Sequence, residues 1–217
     1  MNSTSTSTNK FEQLADLKQK SIIDASINEF ANNGFKNASV NKIVEKAGIS
    51  KGSLFNYFKS KNLLFDHIYQ IALREVKSYF AKVRDESEND DFFTRFSKII
   101  NAGIEFINKH PRLARIYFRL LNSNDSPHGK EIIQNLHGEA IRYLTQFVET
   151  GIERNELRSN LNPGTVAFLM ESILNRILQV QYLEIFDAKS NISKNDNNWI
   201  DEIVDTLKTG LSTELPQ

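Results

Sequence analysis

The stretch "EKAGISKGSLFNYFKSK", residues Glu45–Lys61, gathers glycines, lysines, serines and three aromatic rings into one short polar corner of a chain that otherwise repeats apolar residues every three or four positions. A catalytic pocket, a phosphate-cradling loop and a DNA-reading helix share that inventory, so spacing decides between them. Ser39 is a good N-cap for a short helix whose inner stripe is Ile43, Val44 and Ala47, and Gly48 supplies the left-handed residue that closes it. Two residues on, Ser50 caps another helix, with Leu54 and Phe58 at i and i+4 facing inward. Lys51, Ser53, Asn56, Tyr57 and Lys59 are then left pointing away from the core.

Outward from this corner the chain reads as helices. Upstream, Leu17, Ile23, Ile27, Phe30 and Ala31 are expected on one face of a helix over 16–33, ended by Gly34. Downstream, helices are expected over 62–84, 92–109, 111–121, 130–157, 163–186 and 199–211, with Pro111 and Pro163 near first-turn positions. The polar run 188–198 reads as a loop, no strand-like alternation stands out, and there is no internal repeat. The expected class is all-α, about nine helices: a flexible polar tail (1–15), a three-helix head with a helix-turn-helix (16–61) and a larger C-terminal helical bundle (62–217).

Composition narrows the function. The 217 residues are 40% hydrophobic and 25% charged, with a formal net charge of zero, and no cysteine is present to make disulfides, thiolate nucleophiles or cysteine metal sites. With no secretory signal and no long apolar run, a cytoplasmic protein that does not enter a membrane is expected. The neutral total hides an asymmetry: residues 1–61 hold nine lysines and five acids, a net of +4, which leaves 18 basic and 22 acidic side chains, or −4, in the rest. A basic head on an acidic body suits a polyanionic partner.

Enzyme chemistry finds little support. The order Lys51-Gly52-Ser53 between helices is not the Gly-Lys-Ser of a phosphate loop that follows a strand. His137-Gly138-Glu139 spells the H-x-E of zinc deaminases without the cysteine pair that completes the metal site. Asp66-His67 stands in the reverse of the metal phosphohydrolase order, and His110 and His128 sit beside prolines. No catalytic residue, metal ligand or cofactor is assigned. The outward groups of the third helix suit nucleic acid instead: lysines neutralise phosphates, Ser and Asn bond to phosphates or base edges, and Gly52 permits close approach. Two short helices joined by a glycine turn, the second presenting these groups, match a helix-turn-helix. The competing reading is a helical interaction protein whose basic head binds a protein or anionic surface without DNA sequence specificity.

The segment "IIDASINEFANNGFKNASVNKIVEKAGISKGSLFNYFKSKNLL" resembles the DNA-binding head of TetR-family transcriptional regulators. The match runs through the Ala25-to-Gly34 spacing, Ser39, Ile43, Ala47, Gly48, Ser50, Lys51, Gly52, Leu54, Tyr57, Phe58, Ser60, Lys61 and Leu64. The resemblance implies that Ser39 and Lys61 clamp phosphates at either edge, that Lys51, Gly52 and Ser53 meet DNA first, and that Asn56 and Tyr57 project from the recognition helix. Lys42, Ser50 and Phe55 complete the candidate DNA-binding set. Phe55 departs from the pattern: a tyrosine is usual there, and the missing hydroxyl removes one possible phosphate bond.

The resemblance further implies a body that dimerises through its last two long helices and often holds a small molecule. The apolar stripe Val166, Met170, Ile173, Ile177 and Val180, with Ile200, Ile203, Val204 and Leu207, is the candidate homodimer interface, the alternative being a broad intramolecular core. Two heads on a two-fold axis imply a palindromic double-stranded DNA operator. For a small-molecule effector of apolar or amphipathic character, the candidate pocket residues are Phe96, Tyr117, Phe118, Tyr143, Phe147, Phe168 and Arg176, the arginine needing a partner such as Glu171, a second subunit or a ligand carboxylate.

Overall fold

The structure is a computed structural model that describes residues 10–122, 126, 128–183 and 198–213. Among these residues the fold is all-α. A short helical turn at 10–12 precedes α1 (Asp16–Asn37), α2 (Val40–Ala47), α3 (Lys51–Phe58), α4 (Lys61–Glu86), α5 (Phe92–Lys109), α6 (Pro111–Asn122), α7 (Gly129–Glu153), α8 (Pro163–Leu183) and α9 (Asn198–Leu211). The expected continuation of α8 to Phe186 and the loop at 188–197 lie outside the described residues.

The chain divides into two compact units, Met1–Glu75 with His110–Lys130, and Val76–Lys109 with Glu131–Gln217. The first unit holds α1, α2, α3, the first half of α4 and α6. Its core is built around Ile22, Phe30, Ile43, Leu54, Leu64 and Ile68, all nearly inaccessible to solvent. α1 is not one straight helix: Gly34 at φ 70, ψ 175 breaks it, a backbone state that L side chains rarely adopt, and residues 35–38 turn toward α2. Two sequence expectations change here. Leu17, expected on the inner face of α1, is 85% exposed; at 3.6 residues per turn it sits about 80° round from Ile27. Phe11, inside the stretch read as polar tail, is only 3% exposed.

α6 packs along α1 through a row of arginines at helical spacing. Arg112 pairs with Asp24 at 3.2 Å, Arg115 donates to Asn32 Oδ1 at 3.1 Å, and Arg119 donates to the carbonyls of Ala31 (3.0 Å) and Asn32 (2.9 Å). Those last two carbonyls belong to the turn just before the Gly34 break.

The second unit is assembled differently. Phe92, Phe96 and Ile100 of α5, Leu144, Phe147 and Val148 of α7, Val166, Met170 and Ile177 of α8, and Trp199, Ile200 and Val204 of α9 form one continuous apolar core. Phe92 stacks on Phe147 with ring centroids 4.4 Å apart. Phe92 N–H, at the start of α5, donates to the Glu156 carboxylate at 3.0 Å, and an isolated antiparallel bridge joins Leu157 to Ser212.

Most of the expected dimer stripe lies within the chain's own core, the alternative that the sequence left open. Val166, Met170, Ile177, Val180, Ile200 and Val204 are buried within this one chain, and Ile173, Ile203 and Leu207 pack partly buried against the same core. A helical apolar stripe says that a face is buried without saying against what, and here the chain's own α5 takes it. The outward face of α8 carries Phe168 (65% exposed), Leu169 and Leu183 instead.

Candidate nucleic-acid interface

The helix-turn-helix is held by caps at every end. Ser39 begins α2, its hydroxyl accepting Lys42 N–H at 3.4 Å while its own N–H donates to Glu29 Oε1 at 2.9 Å. Glu29 is 2% exposed, so this carboxylate works from inside the head. At the far end Gly48 adopts φ 65, ψ 37; its N–H bonds to Glu45 O and the N–H of Ile49 reaches back to Val44 O at 3.0 Å, closing α2 in the left-handed manner the sequence implied. Ser21 Oγ donates to Ala47 O at 3.3 Å and ties that end to α1. Ser50 then starts α3 by accepting Ser53 N–H at 3.1 Å, with the two hydroxyls 2.9 Å apart.

α3 turns Leu54 and Phe58 inward and buries both. Lys51, Gly52, Asn56 and Lys59 are exposed, and Ser53, Phe55 and Tyr57 are partly so. Ser50 and Lys42 are exposed on the same motif, with Ser39 partly covered. A Cβ added at Gly52 would meet nothing nearer than Ser50 Oγ at 3.9 Å. No packing inside the head therefore demands glycine at 52.

One predicted contact is redirected. Lys61 does not present its ammonium to the outside: Nζ donates to Phe35 O (2.8 Å), Lys36 O (3.2 Å) and Ala38 O (3.2 Å), and lies 4.7 Å from the centroid of the Phe35 ring. An ammonium has three N–H groups, and all three are spent on the turn that follows Gly34. Lys61 is a strut for the α1–α2 turn, a role its place in the family pattern did not announce. Glu29 and Phe11, which sequence reading passed over, belong to the same supporting layer. Each carried a faint signal: a carboxylate one residue before Phe30 on an apolar helix face, and a lone ring in a Ser/Thr/Asn-rich stretch.

The predicted pocket residues are divided between the two units. Phe96 and Phe147 lie in the core of the second unit, with Arg95 over the Phe147 ring at 5.0 Å. Tyr143 borders that core half-buried; burial raises its phenol above the ordinary range while Arg95 and Arg84 pull the other way. Tyr117 and Phe118 belong to α6 in the first unit, edge to face at 5.1 Å. Phe168 and Arg176 are on the outside of α8, Arg176 donating to Gln179 Oε1 at 2.7 Å. Glu171 is engaged by His137 and Asn175 and not by Arg176. In the first unit a void of about 10 Å³ is lined by Phe30, Gly34, Phe35, Phe65, Ile116, Arg119 and Leu120. It has room for no more than a water.

The groups of the H-x-E triplet face separate partners, His137 meeting Glu171 and Glu139 meeting Lys77 at 2.8 Å. Among the described residues no cluster of three or more metal-ligating side chains occurs, and no helix is long and apolar enough to cross a membrane.

Known proteins share this arrangement. A transcriptional regulator of the HTH type from Bacillus subtilis, YhgD, itself uncharacterised, is 25% identical over 153 residues, covering 70% of this chain and 78% of that protein. A probable acrEF/envCD operon repressor from Escherichia coli is 24% identical over 166 residues, 74% of each chain. The crystal structure of a TetR family regulator from Chloroflexus aurantiacus superposes with a TM-score of 0.73 at 25% identity, covering 95% of this chain and 99% of that one. The family model for bacterial regulatory proteins of the tetR family matches residues 22–68, from the core of α1 through Ile68, and the tetracyclin repressor-like C-terminal domain matches residues 90–212. With both halves matched and the capped α2–α3 pair lying inside the first, this chain belongs to the TetR family of DNA-binding transcriptional regulators.

Proposed function

We propose that the chain is a repressor that binds a palindromic operator as a homodimer and is released by a small apolar or amphipathic effector. The observation that carries this reading is α3: a rigidly capped eight-residue helix whose Lys51, Gly52 and Asn56 stand clear of the protein. Its first turn enters the major groove, with Lys51 on phosphate, Asn56 on a base edge, and Ser53, Phe55 and Tyr57 against the groove wall. Ser39, Lys42 and Ser50 meet the flanking backbone. Lys61, fully engaged with carbonyls, holds the turn between the helices and makes no DNA contact.

Two copies join through the outward face of α8, where Phe168, Leu169 and Leu183 are exposed on one helix. A two-fold pair places the recognition helices about 34 to 36 Å apart, one turn of DNA. The effector is held in the second unit beside Tyr143, where the apolar edge of the Phe96 and Phe147 core meets Arg95 and Arg84. An apolar tail with an acidic head group fits that pairing of surfaces.

Binding of the full chain to the DNA upstream of its own gene, against a scrambled duplex over a salt series, tests this. A specific repressor prefers the palindrome and weakens steeply with salt as counterions are released. Equal weak binding to both duplexes would instead favour a head that recognises anionic surfaces without reading sequence. Amphipathic acids titrated into the complex then test release, and Phe168→Asp tests the dimer by sedimentation.

A further inference from the structure

Phe11 stands one residue beyond a run of Ser, Thr and Asn, yet its ring is inside the head. Its centroid lies 4.8 Å from Phe58 with the planes at 53°, and 5.3 Å from His67 at 76°. Its third neighbour is Tyr57, 6.2 Å away and edge to face at 62°. Phe58 and His67 also touch, at 5.2 Å, so the four rings form one cluster built from the N-terminal turn, α3 and α4. The turn that carries Phe11 is fastened by polar bonds. Leu14 N–H donates to Phe11 O at 3.0 Å, and the Gln19 amide of α1 donates to Glu12 O at 3.1 Å and Leu14 O at 2.8 Å.

α3 needs such a support. Eight residues are too few to be stable alone, and only Leu54 and Phe58 are fully buried. It ends at Lys59, a non-glycine residue at φ 58, so the connection to α4 is itself a conformation that packing must hold. Leu54 faces the head's interior midway along the helix; Phe58, at its C-terminal end, rests against Phe11 and His67. Tyr57, next to it, is partly exposed and meets Phe11 in an edge-type contact.

We propose that Phe11 is a positioning residue for DNA recognition: docked against Phe58, His67 and the edge of Tyr57, it fixes the tilt of α3 and the direction in which Tyr57 points. Phe11 touches no DNA. It acts through two rings of the recognition helix, so losing it releases the C-terminal half of α3 while leaving the charges that attract DNA in place. The inference rests on α3 being the helix that reads DNA.

The test uses the full-length chain and Phe11→Leu, which keeps an apolar side chain of similar size and removes the ring; Phe11→Met serves the same comparison if the leucine variant does not fold. Amide hydrogen exchange on the DNA-free protein is expected to speed up by about tenfold over Leu54–Phe58 and to stay unchanged in α5. The ratio of operator affinity to scrambled-duplex affinity is expected to fall about tenfold, through weaker operator binding alone. A residue that only filled space would lower the melting temperature and leave this ratio intact. Unchanged protection of α3, or an unchanged ratio in a folded variant, overturns the proposal. If the wild-type chain prefers no duplex, the reading of α3 as the DNA-reading helix fails, and the exchange measurement alone still decides whether Phe11 positions it.

Discussion

The two units solve the same problem, fixing helices in place, with different chemistry. In the second unit, long helices present wide apolar faces, and the Phe92–Phe147 stack sits in a core shared by α5, α7, α8 and α9. In the first unit, α2 and α3 are eight residues each, and much of their length is helix end. Helix ends leave N–H and C=O groups unpaired, and this unit answers with side chains: Glu29 for the Ser39 N–H, Lys61 for three carbonyls after Gly34, Arg119 for two carbonyls before it. One face of α3 is exposed and contributes nothing to packing, and polar bonds around the end of α1 and the start of α2 add to the apolar contacts that hold the head from behind.

The contrast is sharpest in what single substitutions should do. The largest effect is expected in the second unit: Phe96→Ala empties a fully buried site in the centre of the apolar core and should cost about 3–5 kcal/mol, read as a shift in the denaturant midpoint. A loss well under that would mean the core collapses around the cavity and is less tightly packed than the stacked rings indicate. In the first unit, Glu29→Ala leaves the Ser39 N–H without its carboxylate and should cost about 1–3 kcal/mol. Glu29→Gln, which keeps an acceptor oxygen, should recover most of it. If both substitutions are equally harmful, the charge and not the hydrogen bond is what the head uses.

Lys61→Met probes the same comparison from the other side. As a strut, Lys61 supports the DNA-free head, so the substitution should destabilise it by about 1–2 kcal/mol and leave the salt dependence of operator binding unchanged. As a phosphate contact it would do the reverse, lowering the salt slope by about one without touching stability. Lys51→Ala supplies the reference, since Lys51 is exposed and should lower the slope in that way.

What the sequence disclosed follows the same division. Caps and left-handed glycines are local, so Ser39, Gly48, Ser50 and the inward pair Leu54 and Phe58 could be placed from spacing alone. Periodicity located α5 through α9 to within a few residues among those described, because each presents a buried stripe. Periodicity could not name the partner of a stripe, which is why Val166, Met170 and Ile177 read as an intermolecular surface when α5 already covers them. Long-range polar bonds were least legible. Lys61 reaches 26 residues back to Phe35, and nothing in a run of lysines distinguishes the one that turns inward. The aromatic residues proposed for one pocket were grouped by type, and type does not tell that Tyr117 belongs to the first unit and Phe168 to an outer face.

The smallest effect concerns His67, the one imidazole of the ring cluster that backs α3. Burial lowers its pKa below the ordinary 6.5, Arg74 adds to the shift, and Glu12 opposes it. The folded head thus prefers the neutral imidazole, while the unfolded chain takes up a proton near 6.5. As pH falls below 6.5 the unfolded state binds the proton first, so stability is full above that value and declines beneath it until the folded site is protonated as well. The site is only partly buried, so solvent screens it, and the expected change is a modest slope in melting temperature against pH. His67→Phe should remove that slope without changing the carboxylate-driven loss at lower pH. Should the slope survive in His67→Phe, the sensitivity lies outside the ring cluster, which would then behave like the apolar core of the second unit, indifferent to protons.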